Sequence, residues 1–212
     1  MVITGFKAGK RKSDPFTVEL STGDTFQLDA ELIVRFQLKK GMELNTDFRQ
    51  RLEEEQATLL ARRRLVRYLS GRRKTKKEAE EYLRRLGFKD RAVAAAIQGA
   101  TELGLLNDES YAIAYRRTQE RISAKGYRAI EHELIARGVA PSVARKAIAD
   151  ATSREYQLQL ANQLAEKRRR ALADLDPMKG RQRLSNFLLR RGFDAEVVSE
   201  VVRKFYGDSE ND

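Results

Sequence analysis

Three glycines, Gly87, Gly138 and Gly192, stand 51 and 54 residues apart, and each has the same company. Four residues before them are Leu83, Leu134 and Leu188, and eight before are Ala79, Ile130 and Leu184. Directly after come Phe88, Val139 and Phe193, and ten residues after come Ile97, Ile148 and Val202. A glycine one turn beyond a leucine is an ordinary helix end, since glycine takes the left-handed conformation at little cost. A matching aliphatic at the tenth place, three times over, is not. One unit has been written three times.

Each unit reads as a first helix, a middle helix closed by the glycine, and a third helix. The apolar spacing predicts first helices over 47–69, 109–123 and 155–172, and middle helices over 76–86, 128–137 and 180–191. The third helices begin near Asp90, Pro141 and Asp194, residue types that suit helix starts. Asn45, Thr46 and Asp47 can cap the helix over 47–69, Thr75 the first middle helix, and Asp108 the helix that carries Tyr111 and Tyr115. Three helices of about 12 residues close a small core, and stacked neighbours share the remaining burial. An elongated, curved rod is the expected shape.

The first 45 residues follow a different period. Phe16, Val18 and Leu20 alternate, as do Phe26 and Leu28, with Gly23 and Asp24 between the runs, which is a hairpin signal. Residues 2–6 offer a third strand, and a short helix is expected over 30–38, capped by Asp29 and closed near Gly41. The chain is therefore expected to be mainly α. A small β-rich unit (1–45) precedes three three-helix repeats (46–106, 107–152 and 153–206) and an acidic tail (207–212).

Catalytic chemistry is hard to place. The chain has no cysteine and one histidine, His132, without the HExxH spacing of a zinc helix. The run Gly5 to Lys10 is one residue short of a phosphate loop, and Arg11 stands where Ser or Thr should hold magnesium. Scattered carboxylates have basic neighbours one turn away, as Glu81 has Arg85, and read as solvated helix faces. No enzyme, cofactor or metal is expected. No segment has the length and apolarity of a signal peptide or a membrane span. A cytoplasmic protein is expected, monomeric because no coiled-coil heptads ask for a dimer.

The net charge of +11 and a pI near 9.9 point to polyanionic partners. The excess is clustered. Between Arg62 and Arg91, thirteen basic residues face four acidic ones, a local net of +9. Smaller clusters fall at Arg116 and Arg117, from Lys125 to Arg128, from Lys167 to Arg170, and at Arg190 and Arg191. Stacked repeats can align such clusters into a stripe that suits phosphates or an acidic protein groove. Tyr68, Tyr111 and Tyr115 fall on apolar stripes and read as core. Tyr127, following Gly126 in a turn, is the tyrosine expected to be exposed for stacking on bases.

The segments GLLNDESYAIAYRR (104–117) and SAKGYRAIEHELIARGV (123–139) resemble the signature of the RecX family. Leu106, Asn107, Asp108, Tyr111, Ala112, Tyr115, Gly126, Ile130, Glu133, Leu134 and Gly138 occupy that signature's places. Two positions depart from it: Ala129 stands where an Arg is usual before the isoleucine, and Arg137 replaces the usual Lys. The likeness covers about residues 55–206, and the N-terminal unit looks like the extension of longer members. The resemblance implies a regulator without catalysis. Such a protein binds RecA or RecA–DNA filaments, lodges along the filament groove, and inhibits ATP hydrolysis, strand exchange and filament growth in DNA repair and the SOS response. Direct binding to DNA or RNA by the helical repeats is the alternative. The candidates for contact with RecA or DNA are Arg63, Arg67, Arg72, Arg73, Lys74, Lys76, Lys77, Arg84, Arg116, Arg117, Lys125, Tyr127, Arg128, Arg190 and Arg191.

Overall fold

The computed structural model describes residues 1–11, 14–149 and 154–207. Lys12 and Ser13 of the expected first loop, residues 150–153, and all of the acidic tail but Gly207 lie outside the described residues. Two compact units result: residues 1–73 with 79–106, and residues 74–78 with those from 107 onward.

In the first unit, the period-2 segments form strands β1 (Ile3–Lys7), β2 (Phe16–Leu20) and β3 (Thr25–Leu28), antiparallel in the order β1-β2-β3. Val18 stands opposite Phe26, and Phe16 opposite Leu28, as the alternation requires. Helix α1 (Ala30–Arg35) is capped by Asp29, whose carboxylate accepts the Glu31 N–H. It stops short of the expected residue 38. Gln37 takes a left-handed φ of 52°, and the Leu38 N–H returns to the Ile33 carbonyl, folding Leu38 into the core.

Helix α2 (Thr46–Leu69) serves two cores. Leu52 packs with the sheet residues, whereas Ala61 and Leu65 join Ala92, Val93, Ala96, Ile97 and Ala100 of α4 (Asp90–Glu102). The alanines let α2 and α4 approach closely. Between them in sequence runs α3 (Lys76–Arg85), whose Ala79 and Leu83 are fully buried. Tyr68 and Tyr82 stack at 3.9 Å beside this core, so Tyr68 belongs to packing.

The second unit contains α5 (Asp108–Ser123), α6 (Tyr127–Ala136) and α7 (Pro141–Ala149), then α8 (Arg154–Leu172), α9 (Pro177–Arg190) and α10 (Ala195–Tyr206). Each trio has its own apolar cluster. Helix α9 starts three residues earlier than Gly180. Asp176 caps it by accepting the Met178 and Lys179 N–H groups, and Pro177 occupies the first turn, where its missing N–H costs nothing. Helix α5 is capped by Asn107 and not by Asp108; the Asn107 side chain accepts the Ser110 N–H.

The three repeated glycines have φ of 85°, 87° and 85°. At each, two hydrogen bonds close the last turn. The glycine N–H donates to the carbonyl three residues back, and the next N–H donates to Leu83, Leu134 or Leu188. That leucine therefore does two jobs, accepting the closing bond and burying its side chain near the apolar residue after the glycine. The sequence period is the signature of this helix end.

Within the second unit these ends are also docking points. The Gly126 and Arg128 N–H groups at the start of α6 donate to the Arg191 and Gly192 carbonyls at the end of α9, at 2.9 and 3.1 Å. A Cβ on Gly126 would overlap the Gly192 carbonyl and the Phe193 nitrogen. At the end of α6, the Arg137 carbonyl accepts the Thr75 hydroxyl at 2.8 Å, and the Lys77 side chain fills the space a Cβ on Gly138 would need. In both joints the positive end of one helix dipole meets the negative end of the next.

Gly126 has an ordinary φ of −71°, so replacing it tests close approach alone. Gly126→Ala is expected to lower stability by about 1–3 kcal/mol through overpacking. Gly99→Ala, whose Cβ would lie 3.6 Å from the Arg62 side chain inside α4, is expected to stabilise by about 0.5–1 kcal/mol. Urea unfolding of both variants measures the difference.

Candidate interaction surface

The residues around the Thr75 joint form a polar network. Thr75 and Glu78 make a reciprocal cap: the Glu78 N–H donates to the Thr75 hydroxyl, and the Thr75 N–H to the Glu78 carboxylate. The Asp108 carboxylate accepts the Lys76 N–H at 3.0 Å, which explains why it does not cap its own helix. Arg137 reaches Glu78 at 3.3 Å and lies over the Tyr115 ring, 5.0 Å from its centre. The Tyr115 hydroxyl donates to Glu133 at 2.7 Å, and the Lys125 ammonium pairs with the same carboxylate.

Burial pushes the Glu133 carboxyl up, but the bonds from Lys125 and Tyr115 outweigh it and leave the group below its usual range. Burial, followed by the bond to Glu133, raises the Tyr115 hydroxyl. At neutral pH the network is thus a fixed carboxylate held by a cation and a neutral phenol. It orients α5 and α6.

The expected contact residues separate into three kinds. Tyr127 and Arg116 are buried, against expectation. Tyr127 opens α6 inside the second repeat's core, 7% exposed, and its N–H donates to Gln157. Arg116 is 7% exposed and paired with Glu120 one turn on at 2.8 Å, so this pair faces inward. Neither can meet an incoming partner.

A second kind is engaged locally. Arg63 forks onto Asp29 and holds that carboxyl below its usual range; Arg84 pairs with Glu80 and Asp90; Arg128 pairs with Asp194; Lys125 holds Glu133. Arg191 donates to the Ser123 carbonyl and lies over the Phe187 ring. Arg85 bonds the Glu81 carbonyl and not its carboxylate, so the expected side-chain pair is replaced by Arg84 with Glu80. Lys74, Lys76 and Arg73 flank the α3 start, Lys74 and Lys76 half-buried and Arg73 exposed.

The third kind stands open. Arg67, Arg72, Lys77, Arg117 and Arg190 are exposed and make no ion pair among the described residues. Arg190 belongs to a larger feature. With Arg168, Arg183 and Asn186 it lines a concavity of about 450 Å³ between α8 and α9, where Arg168 stacks on the Phe187 ring at 4.1 Å. None of the three arginines has a carboxylate partner among the described residues. Arg183 and Asn186 were outside the sequence reading. The signal was there, since Arg183 and Arg190 are two turns apart on one helix face.

The fold defines a class: tandem three-helix repeats behind a small antiparallel sheet, with open cations on the helices and no helix, among the described residues, long and apolar enough to cross a membrane. Residues 107–148 match the RecX second three-helix domain, and residues 155–202 match the RecX third three-helix domain. The chain belongs to the RecX family. It is similar to the regulatory protein RecX of Clostridium acetobutylicum, 27% identical over 98% of this chain and 97% of that one. Its likeness to the Clostridium perfringens (strain 13) regulatory protein RecX is 28% identity over 95% of each chain. A crystal structure of regulatory protein RecX superposes with a TM-score of 0.79 at 25% identity, covering 94% of this chain and 98% of that one. RecX from Lactobacillus salivarius gives 0.66 at 26% identity, over 70% and 96%.

Neighbouring arginines on α5 test the division into kinds. Arg116→Ala leaves Glu120 buried without its cation and is expected to cost about 3–5 kcal/mol. Arg117→Ala should stay within about 0.5 kcal/mol. Thermal or urea denaturation distinguishes them, and equal effects would return Arg116 to the surface.

Proposed function

We propose that this chain is a non-catalytic, cytoplasmic regulator of RecA that binds RecA or the RecA–DNA filament and restrains ATP hydrolysis, strand exchange and filament growth. Membership of the RecX family, whose relatives are named regulatory proteins, supports the regulatory half of the reading. The observation that carries the binding half is the distribution of open cations. Arg67 and Arg72 in the first repeat, Arg117 in the second, and Arg168, Arg183 and Arg190 in the third are exposed with no acid partner among the described residues. Acids elsewhere are largely matched, so this imbalance is available to a polyanionic surface. Several weak contacts spread over linked repeats add to firm binding, since each later contact forms at high effective concentration.

A second reading rests on the arginine concavity. Three guanidinium groups and an amide in one hollow suit phosphodiester oxygens, because Arg presents paired donors to phosphate. In that case nucleic acid itself is a direct partner and the RecA effect is competitive.

The test is RecA ATPase on single-stranded DNA with this protein added below the stoichiometry that coats the DNA. Inhibition at those levels supports filament binding; inhibition only at DNA saturation supports the competitive reading. The triple variant Arg72→Glu, Arg117→Glu and Arg190→Glu should raise the concentration for half-inhibition about tenfold or more, from three rim contacts of about 0.5–1 kcal/mol each. Unchanged inhibition in that variant, with helicity intact, would remove these residues from the interface.

A further inference from the structure

Three arginines share one hollow of the third repeat, and no carboxylate lines it. Arg168 of α8 stands there with Arg183, Asn186 and Arg190 of α9, beside the apolar Ala171 and Leu172. Gathering three like charges costs Coulomb energy that an anion in the hollow would offset. One of the three is also held in a particular way. The Arg168 guanidinium lies over the Phe187 ring, 4.1 Å from its centre, and Phe187 is a buried member of the third repeat's core. A guanidinium is planar and has two faces. The core ring covers one, and since Arg168 is exposed and lines the hollow, the other stays open to it.

We propose that this hollow seats one unstacked nucleotide of a single-stranded nucleic acid, its base on the open face of Arg168 and its flanking phosphates on Arg183 and Arg190. The inference rests on the reading of nucleic acid as a direct partner, and adds which form of it binds and how one nucleotide is held. Phosphate alone accounts for the three charges. It does not account for a cation fixed against a ring, whereas a base does, because unstacked bases stack on Arg guanidinium planes. Arg183 and Arg190 are seven residues apart on α9, about 10 Å along its axis at 1.5 Å per residue. Their long side chains therefore approach the nucleotide from either side, each with paired donors for phosphate oxygens. Asn186 lies between them in sequence and brings both a donor and an acceptor, so a base of any type finds a partner on its edge.

Size sets the form of the ligand. The hollow of about 450 Å³ falls at the low end of the about 300–1,000 Å³ that hold one small organic molecule. It has room for one nucleotide and is too narrow for two paired strands. A base inside a duplex is covered on both faces and cannot reach Arg168, so the seat selects single strands.

Fluorescence anisotropy of the full-length chain tests the seat with three probes: a strand of about twelve thymidines, an abasic strand of the same length, and a hairpin duplex. Arg168→Lys keeps the charge and removes the planar face. It is expected to weaken binding of the thymidine strand about tenfold, the worth of one stacked base, and to leave the abasic strand and the duplex unchanged. Arg190→Gln should weaken the thymidine and abasic strands alike and lower the log–log salt slope by about 0.7. If Arg168→Lys weakens all three probes equally, or none, the base seat is overturned while phosphate binding stands. An unchanged salt slope in Arg190→Gln would overturn the phosphate half of the seat. Failure of the unaltered protein to bind any probe would overturn nucleic acid as a partner and the seat with it. Thymidine monophosphate at the same nucleotide concentration should not displace the strand; displacement would make the hollow a site for free nucleotides and would also overturn the proposal.

Discussion

The arrangement of the second unit depends on one interaction: the first turn of a middle helix seated on the glycine-closed last turn of the next. A helix start has N–H groups with no partner and a helix end has carbonyls with none. Joining them satisfies both and aligns the dipoles. Between α6 and α9 the contact is backbone against backbone, which is why Gly126 meets Gly192 and why a side chain on either would fill the joint. The polar network of Thr75, Glu78, Tyr115, Glu133 and Arg137 surrounds the equivalent joint at Gly138 and fixes its geometry. Much of the family signature is therefore architecture, with Tyr115, Gly126, Glu133 and Gly138 all serving contacts between helices.

This sorting changes the meaning of the positive charge. A chain at +11 invites every Arg and Lys to be read as a contact residue. The structure withdraws Arg116, commits Arg63, Arg84, Lys125, Arg128 and Arg191 to internal partners, and leaves a smaller set open. That set includes a hollow with three arginines, which has the donors to take phosphate oxygens.

The repeat was legible because a glycine end has a local chemical grammar. The leucine four residues back, the apolar residue just after and the aliphatic ten residues on all report packing within one repeat. The strands were legible for the same reason, since their alternation answers to one buried face. What failed were decisions made by distant partners. Tyr127 looked exposed because it follows a turn, yet that turn is pressed against Gly192, 65 residues later. Asp108 looked like a cap for its own helix, yet it serves Lys76. The early start of α9 was within reach, because Asp176 and Pro177 are ordinary start signals. Whether an arginine is open or engaged depends on acids such as Asp194, far along the chain, and no local spacing reveals it.

Amide hydrogen exchange resolved at Gly126 and Arg128 tests the joint most directly. Both N–H groups lie at a helix start, where amides without a partner exchange freely. The account predicts strong protection at both, because they donate to Arg191 and Gly192. Exchange at the rates of an unprotected helix start would contradict it, since the second and third repeats would then be strung together without the interlock described.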